Sequence, residues 1–346
     1  MQLLTATVPF FQRVQQEGEE GRRKLNQYSR YLTIPIAAIQ ASGVALFFER
    51  IAGAVLNPGP GFVLTTIITL ITGTMLLTWL GELITDRGIG NGVSIIIMVG
   101  ILARFPGDML RMASMIKAGA MPFMSVIFFI AIAIGVTMAV VLITQGQRKI
   151  PVQYAQRVIG RKVYGGRSTH IPLNMNAAGI IPIIFAQAIL TFPTSMLTFF
   201  SGSYAVERIS QVFKPGGLLY NILYGGLIII FAYFYTSIVF NPTEIAENMK
   251  KYGGFIPGIR PGQQTAQYID RVLSRITLPG AVFFAIIAIL PMYLMNSLRI
   301  PMYFGGTSLL IVVGVILDTV RQLEAHLLMR YYEGFVRRGK IRGRRG

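Results

Sequence analysis

The sequence predicts an all-α polytopic membrane protein with eight transmembrane helices and two long cytosolic loops. Eight apolar stretches divide the chain, and most of them approach the ~20 residues that a helix needs to cross ~30 Å of hydrocarbon. Of the 346 residues 53% are hydrophobic and only 13% are charged, whereas a soluble domain has about 25%. Long runs without two-residue alternation indicate helices rather than barrel strands. The stretches are Tyr31–Phe48, Phe62–Leu80, Gly88–Ala103, Pro122–Thr144, Ala177–Phe200, Gly217–Phe240, Ile276–Leu298 and Ile300–Leu317.

The basic residues predict the orientation of these spans. If the amino end is cytosolic and all eight stretches cross, 25 of the 32 Lys and Arg residues lie on the cytosolic side and 7 lie outside, as the positive-inside rule expects. Gly88–Ala103 is short for a span, but leaving it out changes the split to 12 and 20. We therefore expect it to cross as a tilted or packed helix, with both chain ends in the cytosol.

The spans and loops group into four regions. Residues 1–104 hold three spans, 105–121 form an external loop, 122–330 hold five spans, and 331–346 form a basic cytosolic tail. Two cytosolic loops, 145–176 and 241–275, lie within the third region. Both are too long to be simple connectors, so we expect them to carry function.

The two long loops differ in their predicted structure. Loop 145–176 has six basic residues and no acidic one, and two short β-branched or aromatic runs around a turn region predict a hairpin. In the second loop, two prolines and four glycines within Gly253–Gly262 predict a rigid, non-helical tip that carries Arg260. Gln263–Arg275 then reads as a helix leading into the next span. Such a tip suits an acidic partner; a basic loop held near anionic lipid is the alternative.

Several chemistries have no support in the sequence. The chain has no cysteine, and His170 and His326 are too scattered to suggest a metal site. There is no Walker loop, HExxH or nucleophile elbow, so we expect neither enzymatic activity nor a cofactor. The glycine-rich run Gly88–Gly92 reads as a tight turn between membrane helices. A small-solute secondary transporter stays an alternative, although ion coupling usually needs mid-membrane acids, for which Asp318 is the one candidate.

Six dispersed motifs lie in the loops and at the ends of the predicted spans. They are Gly18–Lys24 with Asn26–Tyr28, Asp86–Gly92, Ser168–Leu173, Val239–Pro242, Phe255–Asp270 and Tyr303–Leu310. In type and order they resemble motifs of the SecY family, the central subunits of bacterial Sec protein-translocation channels. The resemblance covers essentially the whole chain and implies helices like the family's third to tenth. Met1–Val8 resembles only the end of the second helix, so we expect the first helix, the plug and most of the second helix to be missing.

The resemblance implies a protein-conducting channel in the cytoplasmic membrane, which passes unfolded secretory proteins across and membrane helices sideways into lipid. Its pore would narrow at a ring formed by Ile97, Ile101, Ile184 and Ile311. An apolar collar can dewet and block ions, yet yield to a passing chain. From the residues alone, each isoleucine reads as lipid-facing or core-facing.

A lateral gate is also implied by the resemblance. Tyr31–Phe48 and Ala177–Phe240 are similar to its remaining elements. Pro182 and Pro193 are candidate hinges of the gate, because a proline inside a helix removes a backbone hydrogen bond.

The resemblance assigns docking to the two long loops. Arg260, Arg157, Arg161 and Lys162 match positions that couple the channel to the SecA motor or to the ribosome, where RNA phosphate would face the basic side chains. Further implied partners are small subunits like SecE and SecG, signal sequences, nascent polypeptides and anionic lipids. Because of the missing elements, a non-conducting membrane scaffold that recruits ribosomes is a second alternative.

Overall fold

A computed structural model describes residues 2–51, 53–119, 122–154, 157–159, 162–164, 168–176, 178–197, 216–298 and 306–338. The chain divides into two compact units. Met1–Pro106 and Val312–Gly346 make up the first unit, and Gly107–Ile311 makes up the second. The four regions that the sequence suggests stay a prediction.

The first unit is helical in its described part. It contains α1 (Gln2–Thr7), α2 (Pro9–Gln16), α3 (Glu19–Arg50), α4 (Pro60–Arg87), most of α5 (Gly92–Lys117) and most of α11 (Gly306–Arg338). The second unit adds helices and all the described strands: α6 (Phe123–Gln145), β1 (Gln147–Tyr154), β2 (Arg157–Ile159), β3 (Lys162–Tyr164), β4 (Ser168–Asn174), α7 (Ile181–Leu197), α8 (Leu218–Val239), α9 (Pro242–Lys251), β5 (Gly254–Phe255) and α10 (Gln263–Leu298).

The fold class of a helical, multi-pass membrane protein is confirmed. Within the described residues, α3, α4, α5, α6, α8 and α10 are long and apolar enough to cross a membrane. The described part of α7 is shorter, with 17 residues, and the apolar start of α11 adjoins residues outside the description. The count of eight spans therefore stays a prediction.

The short span predicted at Gly88–Ala103 is a longer helix in the structure. Helix α5 runs from Gly92 to Lys117, a length of 26 residues. The sequence-based end at Ala103 was wrong because Arg104 ends the apolar run but does not end the backbone hydrogen bonding. The helix also continues past Pro106, so most of the segment 105–121, expected as an external loop, is helical.

Glycines bring α4 and α5 close together within the first unit. A Cβ built on Gly92 would lie 1.9 Å from the carbonyl oxygen of Gly81, which only a residue without a side chain allows. The Gly92 N–H donates to Thr85 Oγ1 at 2.9 Å, and the Gly90 N–H donates to Gln322 Oε1 at 2.9 Å. The tight-turn interpretation of Gly88–Gly92 is thus confirmed, since protein acceptors occupy these donors.

An ion pair joins α3 to α4. Arg30 Nε donates to Glu82 Oε1 at 3.1 Å, and Arg30 Nη2 donates to Glu82 Oε2. The two parallel bonds fix both distance and orientation, which a single lysine contact would not do. This pair adds a polar contact between the two packed helices at one end of the apolar stretches.

In the second unit, a three-stranded antiparallel sheet has the order β4-β1-β5. Ile150 pairs with Ile171 between β1 and β4, and Gln153 pairs with Phe255 between β1 and β5. The hairpin predicted for loop 145–176 is confirmed, with β2 and β3 forming a second antiparallel pair between its strands. The helix predicted from Gln263 is confirmed as the start of α10. The contact of β5 with β1 was not expected from the sequence.

Candidate functional site

The described parts of the two long loops, residues 145–176 and 241–275, fold together into one body, which we name the loop subdomain. Its hydrophobic core draws on both loops and on Ile276, which follows the second loop: Ile150, Val152, Leu173, Met249, Ile256, Ile269, Val272, Leu273 and Ile276. The last four recur at helical spacing and place one apolar face of α10 against the sheet. Alternate residues of β1 supply the opposing side. The loops are therefore a folded platform rather than two separate connectors.

Helix α9 completes this platform, and the sequence analysis missed it. The side chain of Asn241 accepts a hydrogen bond from the Glu244 N–H, and Pro242 occupies the first turn. Ala246 and Met249 are buried on the inner face. The signal was present in the sequence, because an Asn-Pro pair followed by Glu and later by lysines is typical of a short capped helix.

The tip that carries Arg260 has a fixed backbone and an exposed arginine. Thr265, which is 1% exposed, donates its hydroxyl to the Arg260 carbonyl oxygen at 3.0 Å. The Ile259 N–H donates to the Ile256 carbonyl oxygen at 3.0 Å, and Ile256 is buried in the core. Gly258 has a φ of +81°, a conformation that L side chains rarely adopt. Little conformational entropy of the backbone is left to lose when a partner contacts this arginine.

Three further basic residues were predicted to bind a docking partner together with Arg260. Arg157 begins β2 and Lys162 begins β3, and the ladder pairs Ile159 with Lys162. The backbone thus brings Arg157 and Lys162 onto neighbouring strands of one hairpin. Arg161 lies outside the described residues.

Further exposed cations on the loop subdomain were not singled out from the sequence. Arg148 and Lys149 lie at the start of β1, and Lys250 and Lys251 end α9. Tyr252, which follows them, is 73% exposed. The sequence alone did not place these cations on one body, because it did not show that the two loops fold together.

The four isoleucines of the predicted ring lie on three helices. Ile97 and Ile101 are half-buried and one turn apart, so they share a face of α5 in the first unit. In the second unit, Ile184 is half-buried in α7 and Ile311 is 7% exposed near the start of α11. The ring stays a prediction, since each pair belongs to its own unit.

The two candidate hinge prolines occupy different environments in α7. Pro193 lies inside the helix, where its missing N–H removes a hydrogen bond. Pro182 is the second residue of the helix and is buried. First-turn N–H groups have no intrahelical acceptor, so Pro182 removes no bond from the helix. The hinge function stays a prediction, and its physical basis now rests on Pro193.

The fold and the loop subdomain define a class: helical, multi-pass membrane proteins whose long loops fold into a platform. A family model described as SecY matches residues 1–320. The SecY translocase subunit of Thermotoga maritima is 44% identical over 348 residues, which is 100% of this chain and 79% of that protein. The SecY subunit of Escherichia coli K12 is 44% identical over 349 residues, 99% of this chain and 79% of that one. The chain belongs to the SecY family, which confirms the resemblance.

Solved structures show the same fold. A SecY protein studied for a plug domain that stabilises the closed channel has a TM-score of 0.62 and 21% identity, covering 88% of this chain and 75% of that one. A protein-conducting channel structure has a TM-score of 0.61 and 19% identity, covering 88% and 74%. Sec61 in the canine ribosome–channel complex has a TM-score of 0.55 and 18% identity, also covering 88% and 74%.

Proposed function

We propose that this chain is the channel subunit of a Sec protein translocase and that the loop subdomain is its cytosolic docking platform. As a SecY-family protein it acts in protein translocation. The observation that supports docking is the tip: the backbone of Arg260 is held by Thr265 while its side chain is exposed. Unfolded secretory proteins would pass through the pore, and membrane helices would leave it sideways into the cytoplasmic membrane.

The platform would bind the SecA motor or the ribosome. Arg157, Arg161 and Lys162 would add charge to the contact made by Arg260, and RNA phosphate or acidic side chains would complement them. Small membrane subunits like SecE and SecG would cover part of the exposed apolar surface, and anionic lipids would bind the basic residues nearest the bilayer. The chain itself would supply no catalysis.

Charge reversal at the tip tests the docking proposal. Arg260→Glu should reduce motor-driven export of a secreted reporter by about tenfold or more, since reversing a buried or interfacial charge contact costs several kcal/mol. Arg271→Glu is the matched control, because Arg271 is also exposed in the loop subdomain but lies on α10 away from the tip. Export at the normal rate with Arg260→Glu would refute the docking function of the tip.

The salt dependence of ribosome affinity tests whether the basic residues contact RNA phosphate. Replacing Arg157, Arg161 and Lys162 with glutamine should flatten the dependence of log affinity on log salt, by about one unit of slope for each lost phosphate contact. Sedimentation of ribosomes with the protein over a salt series measures this slope. An unchanged slope would mean that these residues face lipid or a protein partner instead.

For the pore, we propose that Ile184 and Ile311 line the constriction. Ile184→Asn or Ile311→Asn should wet the apolar collar, raise ion leak and allow export of a reporter with a defective signal sequence. Ile189 on α7 and Ile316 on α11 are 39% and 44% exposed and serve as controls. Single-channel recordings should show leak only for the first pair. Loss of membrane insertion without leak would place the ring residues against lipid. Conductance of the unaltered protein would distinguish a channel from a scaffold that conducts nothing.

The proposed topology places the loop subdomain and both chain ends in the cytosol. The chain has no cysteine, so single cysteines report without background. A membrane-impermeant maleimide added outside intact cells should label Lys117→Cys and leave Tyr252→Cys unlabelled. Both side chains are exposed in the structure, which makes the pair comparable. Labelling of Tyr252→Cys would invert the orientation.

A further inference from the structure

Met175 marks the place where the loop subdomain meets the membrane helices. It directly follows β4, and its N–H donates to the carbonyl oxygen of Gly146 at 2.9 Å. Gly146 directly follows α6, so this bond closes the base of the long hairpin. The base is crowded, since a Cβ built on Gly146 would lie 2.9 Å from Met175 Sδ.

The same residue rests against α10 from the other side. A Cβ built on Gly280 would lie 2.7 Å from the carbonyl oxygen of Met175 and 3.5 Å from its carbonyl carbon. A backbone atom cannot swing aside as a side chain can, so the contact depends on glycine at this position. Gly226 in α8 provides a contrast, because a Cβ there would meet nothing within 4 Å.

The neighbour of Gly280 weakens α10 at this point. Pro279 lies inside the helix and cannot donate to the carbonyl of Arg275, which removes one backbone hydrogen bond. On the amino-terminal side of this break, α10 is part of the core of the loop subdomain through Ile269 and Ile276. On the other side it continues among the membrane helices. Helix α10 can therefore bend beside the carbonyl of Met175.

The connection from Met175 to α7 is short. Only five residues separate Met175 from Ile181, where α7 begins. Ala178 and Ile180 are 4% and 5% exposed, and the Ile183 N–H donates back to the Ile180 carbonyl oxygen at 2.9 Å. Because these described residues are packed, we expect a displacement of Met175 to reach the first turn of α7.

A small cavity lies beside this connection. It has room for about one water molecule. Its lining includes Pro182 and Ile183 of α7, Thr236 of α8, and Thr277 and Ala281 of α10. The cavity therefore adjoins both the first turn of α7 and the bend of α10.

We propose that Gly280 is a positioning residue for α7. By holding the carbonyl of Met175 against the break at Pro279, it makes a tilt of the loop subdomain displace the first turn of α7. This inference rests on the proposed function, in which the platform binds a partner and α7 belongs to the gate. It supplies the mechanical link between docking and gating.

Spin labels measure the link directly, because the chain has no cysteine. Cysteines at Ile189 on α7 and Ile230 on α8, 39% and 62% exposed, carry the labels in proteoliposomes that contain the assembled translocase. Idle ribosomes are the probe. We expect ribosome binding to change the distance between the labels by about 2 Å, the size of a helix shift. Gly280→Ala should change the resting distance and reduce the response to ribosomes at least about twofold, with ribosome affinity unchanged.

Gly226→Ala is the matched control, since it also replaces a helical glycine and should leave both distances as they are. If Gly280→Ala does not accumulate in the membrane, Gly146→Ala replaces it, because that methyl group presses on Met175 through its flexible thioether. Ribosomes that bind without moving α7 in the unaltered chain would overturn the inference but leave docking intact. Ribosomes that do not bind would refute the docking function. The distance between the labels without ribosomes then tests the inference by itself. Equal resting distances in Gly280→Ala and Gly226→Ala would overturn it.

Discussion

Helices α4 and α10 are both apolar enough to cross a membrane, but they use their apolar surface differently. In the most apolar window of α10, 56% of the residues are buried inside the protein, whereas in α4 the share is 0%. Helix α10 packs on α6, α8 and α9, and α4 packs mainly on α3. Lipid tails are as apolar as leucine, so a membrane helix can leave its apolar side chains outside the protein at little cost. Hydropathy therefore predicts that a helix crosses, but not what surrounds it.

The largest expected effect separates the buried helix from the exposed one. Ile269 in α10 is 0% exposed and Ile68 in α4 is 56% exposed. Ile269→Ala should lower the free energy of unfolding by about 2–5 kcal/mol, because it leaves a cavity in the core of the loop subdomain. Ile68→Ala should change it by no more than about 0.5 kcal/mol. Denaturant unfolding in detergent micelles measures both, and equal costs would contradict the comparison.

The next effect concerns α9, the short helix that packs on α10. Within the described residues, no short helix packs on α4 in the same way. Asn241 caps α9 by accepting from the Glu244 N–H. Asn241→Ala should destabilise the helix by up to about 2 kcal/mol. Hydrogen exchange at the amides of α9 should accelerate, whereas exposed Asn248→Ala on the same helix should leave exchange nearly unchanged. Unchanged exchange in both variants would show that packing alone holds α9.

A smaller effect is expected at the first turn of α10. Thr265→Val removes the hydrogen bond to the Arg260 carbonyl oxygen, which is worth about 1 kcal/mol. Thr265→Ser keeps the hydroxyl and is the control. Hydrogen exchange from Ile259 to Ala266 should rise only with valine. Partner affinity should fall with it, since a looser tip loses more entropy on binding.

The smallest effect concerns the ion pair that holds α4 to α3. The side chains of Arg30 and Glu82 are 45% and 20% exposed. A double-mutant cycle with Arg30→Gln and Glu82→Gln should give a coupling below about 1 kcal/mol, and salt should reduce it further. A larger coupling would mean that α4 is fixed more firmly than its exposed surface suggests.

Sequence patterns predicted what local periodicity determines. The apolar stretches, the hairpin of loop 145–176, the tip around Arg260 and the helix from Gln263 are all visible over short windows. The end of α5 was misplaced because a charge ends an apolar run without ending a helix. The pairing of β5 with β1 could not be predicted, since Gly254–Phe255 is too short to carry a strand signal and its partner lies in the other loop.

That pairing also constrains how the chain threads through the bilayer. Gln153 and Phe255 can hydrogen-bond only if both loops emerge on the same face, so the segment between them must cross an even number of times. The predicted spans Ala177–Phe200 and Gly217–Phe240 would supply two such crossings. During synthesis, a chain that failed to insert either one would place the loops on opposite faces and could not close the sheet. The two-residue strand thus makes completion of the loop subdomain a check on correct insertion.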